Sequence, residues 1–401
     1  MDLFDKFSSL PGQYEKIKAA GENPFGVCIE KIERPTLGIV NGRSTVLAGT
    51  NNYLGLTFDE SCIAAAQEAL ATQGTGTTGS RIANGTYAGH RNLEESIARF
   101  LDKRSAIVYP TGYQANLGTI AGLCGPEDTV LIDADCHACI YDGVKLSGAN
   151  VIRFRHNSPE DLDKRLSRIA EGNTNILVIV EGLYSMFGDV APLKEFVAVK
   201  NKHGAYLYVD EAHSFGVFGK TGQGVAEAQG VLDDVDFIAG TFSKSLGTIG
   251  GFAASNHPEF ELLRVASRPY MFTASISPAT VASVTECLEQ IRRRGPALMQ
   301  RLWANASKLY QGVTALGLTV SAPLGPIVAV RMPDRETAVF FWNRLLENGV
   351  YVNLAIPPGT PNSTSLLRCS VSAAHTEEDI DAILHAFEEV ALGLSASQAA
   401  E

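Results

Sequence analysis

Long apolar runs are missing from this 401-residue sequence. No stretch approaches the roughly eighteen residues that a membrane-spanning helix needs. The opening residues, Met1 to Lys6, lack the charged-then-apolar pattern of an export signal. Charge is modest at 19% Asp, Glu, Lys and Arg, and the positive sign is the scarcer: 33 Lys and Arg against 44 Asp and Glu leave a net charge of -11. That balance argues against a nucleic-acid-binding surface and confines any polyanionic substrate to a local basic patch. Cysteine is sparse. Seven residues, an odd number scattered along the chain, do not make a disulfide framework and fit a reducing compartment. Cys136 and Cys139 form one CxxC spacing, but no second pair lies nearby. They read as small apolar side chains at a packed site rather than metal ligands. Internal repeats and low-complexity tracts are absent as well. The expectation is a soluble cytoplasmic protein without a transmembrane segment.

What is present is an ordinary globular balance, 45% hydrophobic, in a chain long enough for two domains. Residues 1–45 read as a helical arm followed by a hairpin-like segment, with strands at 36–40 and 44–47. From 46 to 275, short apolar runs at 106–109, 129–132, 151–154, 176–180, 206–209, 237–239 and 251–254 alternate with helical patterns. Such alternation predicts an α/β domain with a mostly parallel sheet covered by helices on both faces. Ser158-Pro159-Glu160-Asp161 is a helix start: a serine cap, proline in the first turn, and acids at the positive dipole end. Residues 276–401 read as a smaller α+β domain. Its strands fall at 327–330, 350–353 and 366–371, its helix at 336–347, and a final capped helix begins near Thr376. The tail from 395 is expected to fray.

The chemistry concentrates in Thr241-Phe242-Ser243-Lys244-Ser245-Leu246-Gly247, just past the apolar run 237–239. A lysine flanked by hydroxyls at Thr241 and Ser243 suits Schiff-base chemistry beside a phosphate. Upstream, Asp210 ends the run 205–209 in Val209-Asp210-Glu211-Ala212-His213. An acid at one strand end and a lysine beyond the next strand is what pyridoxal phosphate (PLP) requires. The acid keeps the pyridine nitrogen protonated, so the ring withdraws electrons, and the lysine holds the aldehyde. His213 is placed to meet the ring oxygen or the imine; a metal reading of Asp210 and His213 lacks a third and fourth ligand at fitting spacing. Pro110-Thr111-Gly112-Tyr113-Gln114-Ala115-Asn116 follows a strand and opens a helix, where backbone amides and Gly112 suit a phosphate. A strand-to-helix turn needing glycine explains Gly112 alone. His137, just past another strand, is either a ring-stacking proton carrier or a capping or core histidine. Arg368 is a charge inside the apolar run 366–371 and needs a carboxylate, from a substrate or from a structural acid. Arg81 follows a glycine-rich loop that lacks the spacing of a nucleotide cradle.

These segments resemble the α-oxoamine synthases, a branch of the fold-type I PLP enzymes, over essentially the whole chain. The resemblance is carried by Asn51-Asn52-Tyr53-Leu54-Gly55, Gly79-Ser80-Arg81 with Asn84-Gly85-Thr86, Thr111-Gly112-Tyr113, 135–137, Glu181-Gly182-Leu183-Tyr184-Ser185-Met186, 210–213, 241–247 and Ala374-His375-Thr376. It implies an aspartate aminotransferase-like fold and a homodimer with active sites at the subunit interface. Lys244 is then expected to bind the cofactor covalently, His137 to stack on its ring, Asp210 to pair with the ring nitrogen and His213 to contact the ring oxygen. Gly112, Tyr113, Thr241 and Ser243 are expected to hold the phosphate, with Thr273 of the partner subunit, and Asn52, Ser80 and Arg368 to bind the amino acid. Segments 138–143, 153–165 and 268–275 are similar to the branch that condenses L-serine with a long-chain acyl-CoA. Siblings using glycine or alanine share the catalytic residues and are the alternative. One departure stands out: some relatives carry an arginine just before the Pro-Pro of the small domain, where this chain has Ile356. Peripheral contact with a membrane surface is left open by the sequence.

Overall fold

A computed structural model describes residues 2–8, 12, 15, 21–169, 175–357 and 359–398. The helical reading of the arm falls largely outside these, as do Pro358 and residues 399–401 of the tail. Fourteen strands are present among the described residues: β1 Ile29–Arg34, β2 Leu37–Val40, β3 Arg43–Leu47, β4 Ser105–Tyr109, β5 Thr129–Asp133, β6 Asn150–Phe154, β7 Ile176–Glu181, β8 Tyr206–Asp210, β9 Phe237–Thr241, β10 Gly251–Ser255, β11 Ile327–Met332, β12 Val350–Tyr351, β13 Asn353–Ala355 and β14 Ser365–Ser370. They group into two compact units, one of residues 51–185 and 189–301, the other of 1–50, 186–188 and 302–401.

The first unit holds a seven-stranded sheet in the order β4-β10-β9-β8-β7-β5-β6. Strands β5 to β9 pair parallel, and β10 runs antiparallel between β4 and β9. Runs such as Val130-Leu131-Ile132 and Val178-Ile179-Val180 are buried throughout. Both faces of a parallel sheet are covered by crossover helices, so these strands do not alternate. Strand order reverses between β5 and β7, the place where open α/β sheets leave a crevice at their carboxyl ends. Crossover helices begin where the sequence marks them: Ser158 Oγ accepts from Asp161 N at 3.2 Å ahead of the helix Pro159–Leu166.

In the second unit β1, β2 and β3 form an antiparallel meander, and β12 adds parallel to β3. β11, β14 and β13 make a separate antiparallel sheet. The run 350–353 reads as one strand, yet it serves both sheets, breaking at Val352. The carbonyl there accepts from Trp342 Nε1 at 2.8 Å rather than joining a ladder. The final helix, Glu377–Gln398, opens with Thr376 Oγ1 accepting from Asp379 N and Asp379 Oδ2 accepting from Thr376 N. No helix among the described residues is long and apolar enough to cross a membrane.

Candidate active site

The carboxyl ends of β4, β5, β7, β8 and β9 converge on one cavity. After β4, Thr111 Oγ1 caps the helix Gly112–Leu123 by accepting from Gln114 N at 3.1 Å. Gly112 is required by crowding, since a Cβ there would lie 2.7 Å from Thr241 Oγ1. Thr241 ends β9, donates to the Gly250 carbonyl at 3.0 Å and stands 2.9 Å from Ser243 Oγ. Two hydroxyls thus meet the first turn of a helix, where unpaired amides and the dipole favour an anion. Lys244 follows on a loop closed by Phe242 N donating to Gly250 O at 2.9 Å. Gly250 has φ of 132°, and a Cβ there would sit 2.4 Å from Phe242 Cδ2.

Asp210 ends β8 and is 4% exposed. Its Oδ2 accepts from Asn116 Nδ2 at 2.6 Å and its Oδ1 from Ala212 N at 2.8 Å. Asn116 is oriented in turn by Tyr208, whose hydroxyl donates to Asn116 Oδ1 at 2.8 Å. Buried His213 has its Nδ1 2.8 Å from the Tyr53 hydroxyl. His137, four residues past β5, caps the helix Ala138–Ser147 through Nδ1, which accepts from Cys139 N at 3.2 Å. Its own N–H donates to Glu181 Oε1 at 2.5 Å. Desolvation holds the His137 imidazole below its ordinary pKa; Asp210 pulls it up and Lys244 pushes it down, leaving a net lowering. Its outer face is exposed, and solvent tempers the effect. Glu181, paired with Asp210 across β7 and β8, is pushed well above the carboxylate range by burial and by Asp210.

His137, Asp210, His213 and Lys244 border the same cavity, about 360 Å³, together with Gly112, Tyr113, Thr241 and Ser243. Thr273, Ser80 and Asn52 belong to the same unit but do not line it. Thr273 Oγ1 accepts from Gln114 Nε2 at 3.3 Å within the chain. Ser80 bridges to Ala274, and Asn52 Nδ2 donates to Thr57 Oγ1 at 2.8 Å. Arg368 lies on β14 of the second unit, 6% exposed, with Nη1 donating to Ser370 Oγ at 2.7 Å. Ile356 is buried in that unit. Asn116, Glu181, Cys139 and Tyr53 are the site residues that sequence reasoning passed over. Each lies in or beside a motif it singled out, but only Glu181 ends a strand and so carried a local signal. The two cysteines are buried, as the sequence suggests, but Cys139 also borders the cavity, its Sγ 2.9 Å from His137 Nδ1.

The donor set fits PLP on these observations. The helix start and hydroxyls suit its phosphate, the fixed carboxylate of Asp210 its ring nitrogen, and Lys244 its aldehyde. Residues 45–387 match the family described as aminotransferase class I and II, and the chain belongs to that family. It is 55% identical to a serine palmitoyltransferase of Caulobacter vibrioides over 98% of this chain and 97% of that one. A serine palmitoyltransferase of Sphingomonas paucimobilis is 48% identical, over 96% and 92% of the two chains. A solved structure described as SPT with a PLP internal aldimine superposes with a TM-score of 0.96 at 47% identity, covering 98% of this chain and all of that one.

Proposed function

We propose that this chain is a PLP-dependent acyltransferase. It condenses L-serine with palmitoyl-CoA, or a similar long-chain acyl-CoA, to 3-ketodihydrosphingosine, releasing carbon dioxide and CoA at the start of sphingolipid synthesis. One observation carries this reading: Lys244, Asp210, His137 and His213 border a single cavity beside a phosphate-type helix start. The name serine palmitoyltransferase, carried by two relatives, supports serine and a palmitoyl donor as the substrates.

When bound, PLP supplies an electron sink that stabilises negative charge on the amino acid's α-carbon. The chain's own residues do the rest. Asp210, locked by Asn116 and Ala212, presents its carboxylate to the ring nitrogen and keeps that nitrogen protonated. Gly112, Tyr113, Thr241 and Ser243 hold the phosphate. His137 would stack on the ring. His213, steadied by Tyr53, orients the ring oxygen. With PLP and serine bound, the Lys244 amine would take the α-proton and later return one. Arg368 holds the serine carboxylate, with Asn52 and Ser80 assisting. The active form is a cytoplasmic homodimer in which Thr273 of the partner subunit completes the phosphate site. Exposed Phe272 and Val265 support this, since apolar surface of that kind is what a partner covers.

Mass spectrometry of the products from serine offered with a ladder of acyl-CoAs tests the reaction. A long-chain amino ketone carrying serine's hydroxymethyl carbon is expected. Product from glycine or alanine, but none from serine, would replace this reading with that of a sibling enzyme.

A further inference from the structure

His156 stands outside the cavity and has no part in the chemistry above, yet its setting ties it to His137. It follows β6, with Nδ1 2.8 Å from Asp133 Oδ1 and Nε2 2.6 Å from Asp189 Oδ2. A third carboxylate, Asp135, lies 4.0 Å from Nδ1, and the Tyr184 ring packs edge-on with centroids 4.4 Å apart. A ring nitrogen facing a carboxylate must donate. With both nitrogens so engaged, the imidazole is held as the cation. The two hydrogen-bonded aspartates outweigh burial and push its pKa up to about 10. Asn157 repeats the clamp: its N–H donates to Asp133 Oδ2 at 2.8 Å and its Nδ2 to Asp189 Oδ2 at 2.6 Å.

The clamped groups lead directly to the site. Asp133 is the fully buried last residue of β5, and its Oδ1 also accepts from Asp135 N at 2.9 Å, fixing the turn that delivers His137. Asp189 belongs to a hairpin returning from Glu181, closed by Tyr184 N donating to Asp189 O and Ala191 N to Gly182 O. Glu181 in turn receives the His137 N–H.

We propose that His156 is a positioning residue for the reaction: by bridging Asp133 and Asp189 it locks the exits of β5 and β7 together and sets where the His137 ring stands over the cofactor. Remove the cation, and two aspartates share a partly buried space without a counter-charge, so segment 133–137 relaxes. Displacement of a stacking group by a fraction of an ångström to one ångström costs up to about 100-fold in rate.

This inference rests on the proposed condensation, and its test separates the two. Holoenzymes of the wild type, His156→Gln, His137→Ala and the double variant are compared for kcat, serine KM and the visible circular dichroism of the bound cofactor. His156→Gln is expected to lower kcat about 10- to 100-fold with serine KM within threefold, and to change the cofactor dichroism. In the His137→Ala background the same substitution is expected to add almost nothing. A His156→Gln protein that only melts earlier, with kcat and dichroism as in the wild type, would overturn the proposal. So would losses that multiply in the double variant. If His156→Gln does not fold, Asp189→Asn takes its place in the same cycle. A wild type that makes no product from serine sinks the condensation reading, and the cycle is then judged on cofactor dichroism alone. Non-additive changes there support positioning, and additive ones refute it.

Discussion

A cavity of about 810 Å³ in the first unit surrounds Arg81 and Arg264; the one around Lys244 is about 360 Å³. Both are lined by buried charge, but the charge is handled differently. In the larger, Arg81 grips Glu94 with both terminal nitrogens, at 2.8 and 3.1 Å. Arg264 reaches Glu94 and Glu261, and the Tyr270 hydroxyl accepts from it at 3.0 Å. Glu94 also receives Val108 N at 2.9 Å, so cations and anions satisfy one another. In the smaller, Asp210 is held by neutral donors, the amide of Asn116 and the N–H of Ala212. Ion pairs that close on themselves build structure, whereas a carboxylate oriented by neutral groups keeps its charge for a ligand. Volume does not mark the site; the pairing of charge does.

The strongest way to break that contrast is Lys244→Ala. Turnover is expected to fall by more than 1,000-fold with loss of the cofactor's visible absorbance, since covalent attachment has no other amine among the cavity-lining residues. If the phosphate-site residues and Asp210 have the proposed roles, PLP should still bind noncovalently, and dialysis followed by cofactor fluorescence checks this. Turnover within tenfold of wild type would remove Lys244 from its role.

Glu94→Ala attacks the larger cavity. It strands Arg81 and Arg264 and is expected to cost about 3–5 kcal/mol of stability in denaturant unfolding. The protein that remains folded should keep its serine affinity and cofactor absorbance. The reverse pattern, a stable variant with impaired cofactor binding, would erase the distinction between the cavities.

Arg368→Ala sharpens it from the second unit. If this arginine receives the serine carboxylate, spectral titration should show serine binding weakened by about 1.5–3 kcal/mol, roughly 10- to 150-fold, with melting little changed. An unchanged dissociation constant with a lower melting temperature would make it a structural ion.

The remaining test is a pH dependence. His156 titrates near 10 when folded, above its ordinary value of 6.5. The stability it contributes is therefore complete below about pH 6.5 and drains away as pH rises through about 10. The melting temperature of wild type should decline across that window more steeply than that of His156→Gln. Parallel curves would contradict the charged clamp.

Much of the site was legible because its chemistry sits at strand ends. Lys244, Asp210, His213, His137 and Gly112 each follow an apolar run that the sequence displays, and runs buried on both faces announce a parallel sheet. The supporting residues were not legible. Asn116 acts on Asp210 across 94 positions, and His156 joins aspartates 23 and 33 positions away, in opposite directions along the chain. No local pattern encodes such pairings. The break at Val352 was hidden for a related reason, since a strand's partners are set by its neighbours and not by its own alternation.

By itself the sequence determined the order of elements, the cap at Ser158, the glycine at the helix start at 112 and the lysine proposed as reactive, all consequences of local backbone and side-chain chemistry. Only the tertiary structure decided that β10 would insert antiparallel between β4 and β9, and that β12 would join β3. It also decided that Arg81 would be consumed by Glu94 and that a charged His156 would brace the loop of His137. These depend on which distant groups are desolvated together, because a buried charge must find its partner in space wherever that partner lies in the chain.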